Sequence, residues 1–214
     1  MRKAIKVVLV LLAVIALGMG LLIVSFLWSM KPDKDEEEKI RGQAEVYIEE
    51  NFNKDFEIYD VLYDNMGNFT FDYAAKVRDK KSSTEFLVYY DENAQEMVDT
   101  FVSEKWAAEL ESEIRPYVSQ LFGDSVEFHV FFDNLIGRDL AIDLLTPGSY
   151  KEHAVSPVVR LSISRNKEAE DEQRFAELIS FLQNEGHLQQ GTLIAGYVAE
   201  TGEILEDEEW SKEF

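Results

Sequence analysis

The chain has no cysteine, and with it go disulfides, thiolate nucleophiles, Cys-based zinc sites and the lipid that a bacterial lipoprotein carries on a Cys after its signal. Histidine is nearly as scarce. His129, His153 and His187 are the three present, with no pair at metal-ligand spacing, so no histidine metal centre is expected. Also missing are a Gly-x-Ser-x-Gly elbow, a phosphate-cradling Gly-rich loop and a calcium loop with Asp at alternating positions, and no cofactor is expected. Positive charge is the minority, 21 Lys and Arg against 42 Asp and Glu, for a formal charge of −21. A field of that sign repels nucleic acid, and no basic patch offsets it, so nucleic acid is not an expected partner. It attracts cations or a basic partner, and it also keeps an exposed domain soluble.

What is present is sharply divided. "VVLVLLAVIALGMGLLIVSFLWSM", residues 7–30, carries no charge, and the next nine residues, "KPDKDEEEK", carry little else. A helix of that run would be roughly 36 Å long at 1.5 Å per residue, against a hydrocarbon core of about 30 Å, which predicts a transmembrane helix over 7–30 in contact with the lipid bilayer. A cleavable signal peptide would end at a small-x-small site, and Ala16-Leu17-Gly18 lies in mid-run, so a retained signal-anchor is expected. Lys6 and Lys31 are placed to snorkel at its ends and Trp28 to sit at the interface, giving these three as membrane-interface residues. Lys31, Lys34, Lys39 and Arg41 also follow the run closely, so the count of basic residues does not orient it. A short basic head ahead of an apolar span nevertheless favours a cytoplasmic 1–6 and an extracytoplasmic C-terminal domain, localising the protein to the cell membrane as a single-pass chain.

Residues 31–38 read as a juxtamembrane linker. Ile40, Ala44, Tyr47, Ile48 and Phe52 recur every three to four positions, predicting a helix over about 37–53. Three extended stretches follow: "FEIYDVLY" (56–63), the alternating run from Phe69 through Val77, and "EFLVYYD" (85–91), with Gly67 supplying a positive φ in the first turn. A second helix is predicted over 102–122, striped by Trp106, Leu110, Ile114, Val118 and Leu121, with Pro116 expected to kink or break it. Val126, Phe128, Val130 and Phe132 alternate as a strand, 139–145 reads as a short strand, 146–153 as loop, and 157–165 as strand. A helix over about 169–185, marked by Phe175, Leu178, Ile179 and Leu182, a last strand "GTLIAGYVAE" and an acidic tail complete the chain. The expected fold class is α+β: an N-terminal transmembrane helix, then antiparallel sheets packed on amphipathic helices, in a first α-β-β-β unit (39–101), a second α+β unit (102–206) and a tail (207–214). The aromatic content, 14 Phe, 9 Tyr and 3 Trp, argues for a folded body.

Aligned without gaps, "FLVYYDENAQEMV" (86–98) and "LIAGYVAETGEIL" (193–205) share a strand, a Tyr (Tyr90 and Tyr197), a polar turn and a return of Glu plus two apolar residues. "YVAETGEIL" resembles the C-terminal hairpin of PepSY-type domains, small extracytoplasmic α+β modules associated with peptidases or their regulation; the first copy has Gln95 where that pattern has Gly. More loosely, the chain looks like single-span proteins of Gram-positive bacteria with PepSY-like or cystatin-like units. The resemblance implies a binding or regulatory module and no catalytic residues to carry over; an envelope protein or peptidase is the partner that the reading of the whole chain expects.

The remaining features are weaker. Asn68-Phe69-Thr70 is formally a glycosylation sequon, but Asn68 reads as a turn residue. Trp210 and Phe214 stand on the acidic tail as candidate partner-contact residues, and Trp210 equally suits covering the edge of the last strand. The expected function is a non-catalytic binding or regulatory module. The alternative is a hydrolase working through Asp and Glu, which would need carboxylates converging in a deep pocket.

Overall fold

The computed structural model describes residues 2–52, 55–199, 201, 203–205 and 209–214, and within the first helix it leaves the side chains of 2–11, 13, 27 and 29 undescribed. Helix α1 runs Arg2–Ser29. Among the described residues no helix is long and apolar enough to cross a membrane. The expected transmembrane helix over 7–30, and with it the signal-anchor and the single-pass cell-membrane localisation, is corrected on that finding. Lys6, Trp28 and Lys31 are the three positions expected at the interface. The Lys6 side chain lies outside the described residues, and Trp28 and Lys31 are exposed.

Beyond α1 the described residues form an α+β arrangement of two four-stranded sheets and their helices. Helix α2, Lys34–Asn51, starts where the Asp33 carboxylate accepts the Asp35 N–H at 2.9 Å, and Asp35, Glu36 and Glu37 in its first turn meet the positive end of its dipole. Ile40, Ala44 and Ile48, at i, i+4 and i+8, make its buried face. It packs on an antiparallel meander of β1 (Phe56–Tyr63), β2 (Tyr73–Asp79), β3 (Glu85–Asp91) and β4 (Glu96–Asp99). Strand β2 starts later than its alternation predicts. Asp64 accepts N–H groups of Met66 and Phe69, so 64–72 forms a closed loop with Gly67 at φ +72° and Phe69 stacked on Phe71. Both faces of this sheet are covered: Ala75, Val77, Phe86 and Val88 join the main core, while Phe71, Ala74, Tyr89 and Val98 form a small second cluster under Leu135.

Helix α3, Phe101–Phe122, is continuous through Pro116, so of the expected kink or break there is no break. Its N-terminal end packs on the first sheet, where Phe52, Phe56, Phe86 and Phe101 make a knot of edge-on and tilted rings. Its body, with Trp106, Leu110, Ile114 and Val118 fully buried, floors the second sheet. That sheet holds β5 (Glu127–Phe131), β6 (Val158–Ile163), β7 (Thr192–Tyr197) and β8 (Trp210–Glu213) in spatial order. β6 and β7 are parallel, joined by helix α5 (Asp171–Asn184), and the other pairs are antiparallel.

Two segments differ from expectation. Residues 139–145 are not a strand. Ile136–Asp139 is a short helix, α4, and Ala141 has φ +51°, while the following loop tightens into a 3-10 turn at Tyr150–Glu152 that buries Tyr150. The acidic C-terminal stretch includes strand β8, which pairs with β7 and so serves as sheet, not tail.

Candidate functional site

Strand β5 is the outer strand of its sheet, paired to β6 on one side. Its alternation turns Phe128 and Val130 into the core and Glu127, His129 and Phe131 outward, with Phe131 52% exposed. Helix α3 runs beside it. Glu104, Ala108 and Glu111 recur at i, i+4 and i+7 and so lie along one stripe of α3, with Ser103 and Ala107 beside them. Small residues between two acids leave an open groove of about 210 Å³ between helix and strand, bounded on the strand side by His129, Val130 and Phe131.

The electrostatics of this groove are acidic. The Glu111 carboxylate accepts the Val130 N–H at 2.9 Å, standing where a neighbouring strand's carbonyl would stand, and its Oε1 is 3.9 Å from His129 Nδ1. Arg115 lies 3.8 Å from the other oxygen and stacks over Phe128 at 4.7 Å. The Glu104 carboxyl is pushed up from the usual carboxylate value, by desolvation and by the charge of Glu111, although the residue as a whole is exposed. Two acids therefore share an open groove. They do not close on a common deep pocket.

Larger open depressions lie elsewhere. One of about 700 Å³ is bounded by Glu36, Phe71, Tyr73 and Tyr90, and another of about 520 Å³ by Phe101, Lys105, Leu145 and Pro147. In the second, Lys105 donates to the Gly148 carbonyl at 3.0 Å, so that cation is engaged by the protein itself.

The strongest charge cluster is closed. Asp171, with no exposed surface, accepts Arg165 in two parallel bonds at 2.9 and 2.7 Å, Arg174 at 2.8 Å, the Glu168 N–H at 2.9 Å and the Tyr197 hydroxyl at 2.9 Å. Burial pushes its carboxyl up, yet the bonds from Arg165, Glu168, Tyr197 and Arg174 together outweigh that and hold it well below the ordinary range. Every lone pair is spoken for, so the cluster joins the end of β6, α5 and β7 and offers nothing to a ligand. On α3, Glu109 and Glu113 are likewise taken up by Ser149 at 2.5 Å and by Tyr150 at 2.7 Å with Lys151.

No family model matches the chain, and no curated protein does. Among solved structures it is similar to a DUF5037 family protein from Ruminococcus gnavus ATCC 29149, at 15% identity over 74% of this chain and 75% of that one, with a TM-score of 0.39. A likeness at that level assigns neither family nor activity.

The residues singled out in the sequence are dispersed. Trp210 pairs with Ala195 in the sheet, stacks on Phe175 at 4.3 Å and donates its indole N–H to Glu172 at 3.1 Å, so it covers the outer side of β7. Phe214 exchanges backbone bonds with Gly191, and its ring sits where a Gly191 Cβ would come within 2.7 Å. His153 stacks on Trp106, and His187 is exposed with φ +54° beyond α5. Both echoed segments fold as strand, turn and return. β3 and β4 turn through Gln95 at φ +56°, the position where the pattern has Gly, and β7 returns through a Val198–Ile204 bridge. Tyr197 is buried on Asp171, whereas its counterpart Tyr90 is 42% exposed. Among the described residues no group of three or more His, Asp or Glu is placed to hold a metal ion. Sequence reasoning missed Glu104 and Glu111. Their signal was a stripe of acid, Ala and acid on α3 away from its Trp106–Leu110 face, which has meaning once β5 is known to lie alongside.

Proposed function

We propose that the protein is a binding module that receives a partner protein in the groove between α3 and the free side of β5. The observation that carries this reading is the form of the site: Glu104 and Glu111 line an open groove walled by an outer strand, and Glu111 is already committed to the Val130 N–H. A hydrolase would want two carboxyls facing one enclosed reacting atom, one held protonated and one ionised. Here Glu104 and Glu111 line an open groove, and Glu111 is committed to the Val130 N–H, so no enclosed reacting atom is faced by both. A binding surface wants what is found, an accessible concave strip with unbalanced charge and an exposed aromatic, Phe131, at its rim.

The test places a photo-crosslinking side chain at Ala108 in the groove of the full chain and, as control, at the exposed Lys212 on β8. A discrete protein captured from position 108, absent from 212 and lost in the Glu104→Gln/Glu111→Gln double variant, is the expected result. Turnover of peptide, ester or glycoside substrates by the wild type, abolished in the same double variant, would establish the hydrolase instead.

A further inference from the structure

We infer that the β5 edge takes an extended basic segment of the partner as an added strand, with cationic side chains of that segment reaching Glu104 and Glu111. This rests on the binding-module reading and names the chemistry of its partner. Three observations converge. β5 ends its sheet, and among the described residues no strand pairs with its outer side. A strand in that position presents backbone N–H and C=O groups for pairing, the arrangement that strand-addition partners use. Second, the outward Val130 N–H is held by the Glu111 carboxylate at 2.9 Å, a side chain that can swing away and release the donor when a backbone carbonyl arrives. Third, the groove next to that edge is built from Ser103, Ala107 and Ala108, residues short enough to leave room beside the strand.

Charge then selects the segment. Glu104 and Glu111 are separated by seven residues of helix, about 10 Å along the axis, and same-face positions on a strand repeat at about 6.7 Å. Two successive same-face Lys or Arg side chains, long and flexible, reach one acid each. Each arriving cation offsets the repulsion that the two carboxylates impose on one another. Arg115 is the local competitor. It is 3.8 Å from Glu111, its side chain is 58% exposed, and its guanidinium rests on Phe128, so displacing it from Glu111 leaves that ring contact in place. An acidic segment would meet Glu104, Glu111 and the outward Glu127 with like charge.

The experiment uses the full chain and three synthetic peptides of about seven residues: one alternating Lys with Val and Thr, the same peptide N-methylated at alternate residues, and a Glu counterpart. Calorimetric titration and amide hydrogen exchange are read together. The Lys peptide is expected to bind with affinity falling as salt rises and to raise protection at the Phe128 and Val130 amides, and N-methylation is expected to weaken it at least tenfold. Glu104→Gln/Glu111→Gln should weaken it about tenfold, with Glu185→Gln, at an exposed position past α5, as a neutral control. Gln at 111 keeps an oxygen for the Val130 N–H, so the fold is retained, and circular dichroism verifies it. Equal binding of the N-methylated peptide, protection arising elsewhere, or no binding of the Lys peptide would each overturn strand addition. A protein captured at position 108 alongside any of those results leaves the module standing with a different mode of recognition. Failure of capture as well removes the module.

Discussion

Replacing Asp171 by Asn should unsettle this protein more than any other single charge removal. The carboxylate has no exposed surface and collects bonds from Arg165, Arg174, Tyr197 and the Glu168 N–H. Taking away one partner of a buried ion pair costs about 3–5 kcal/mol, because the remaining charges stay desolvated. Here the two arginines keep 26% and 28% of their side-chain surface, so part of their hydration returns and the loss should sit near the lower figure, about 3 kcal/mol. For a chain of this size that is a fall in Tm of roughly 6–12 °C. Tyr197→Phe removes one hydrogen bond to the same carboxylate and should cost about 1.5 kcal/mol. Urea denaturation followed by the fluorescence of Trp210, stacked on Phe175 beside the cluster, measures both. The pH dependence fixes the cause. The folded-state pKa is depressed, so the contribution is present above the unfolded value near 3.9 and is lost as pH falls from there towards the folded value. Wild type should therefore lose this increment between about pH 5 and pH 2, while Asp171→Asn does not, and the two curves should converge. A variant within about 1 kcal/mol of wild type at pH 7, or curves that stay parallel down to pH 2, would refute the reasoning.

Asp99 should behave oppositely. Burial raises its carboxyl, only partly offset by the Tyr47 hydroxyl at 2.6 Å and the Phe101 N–H, so the folded state favours its protonated form and stability from this site increases as pH falls through the raised value. Asp99→Asn should then cost under about 1 kcal/mol at pH 7 in the same urea assay, against about 3 for Asp171→Asn. Gly191→Ala would bring a Cβ to 2.7 Å from Phe214 Cζ and 3.0 Å from the Pro157 carbonyl oxygen; a loss of about 1–3 kcal/mol is expected, and a double-mutant cycle with Phe214→Ala should recover part of it. Trp210→Ala should cost about 2 kcal/mol, visible as a lowered urea midpoint, and light scattering on refolding should rise as the β7 edge is uncovered.

The elements that were legible in the sequence are those whose own period declares them. The stripe through Ile40, Ala44 and Ile48, the stripe through Trp106 to Val118, and the strands at 56–63 and 85–91 all lie where their apolar spacing puts them. Where the spacing misled, a local bond was stronger. Asp64 folds Phe69 and Phe71 into a loop although they alternate correctly for a strand, and "RDLAIDLL" contains apolar residues at both helix and strand spacing, resolved by a short helix and a left-handed Ala141. β8 was hidden by its charges, since a four-residue outer strand reading Trp-Ser-Lys-Glu has no apolar alternation to show. The apolar run at the N-terminus was a statement about composition alone, and among the described residues no helix is long and apolar enough to cross a membrane. The groove was the least legible feature. Its acids sit on α3 and its wall on β5, and no spacing within either segment says that the two run side by side.

Helix α3 has one further consequence. Phe101, near its start, is locked among rings of the first sheet, and Phe122, at its other end, stacks on Phe175 beneath the second, within a single apolar cluster reaching from Ala44 to Tyr197. A beam shared by two floors cannot be removed with either one. Fragments divided at Thr100 should each be left with an orphaned greasy face, and the intact chain should melt in one step, with no temperature at which one sheet survives the other.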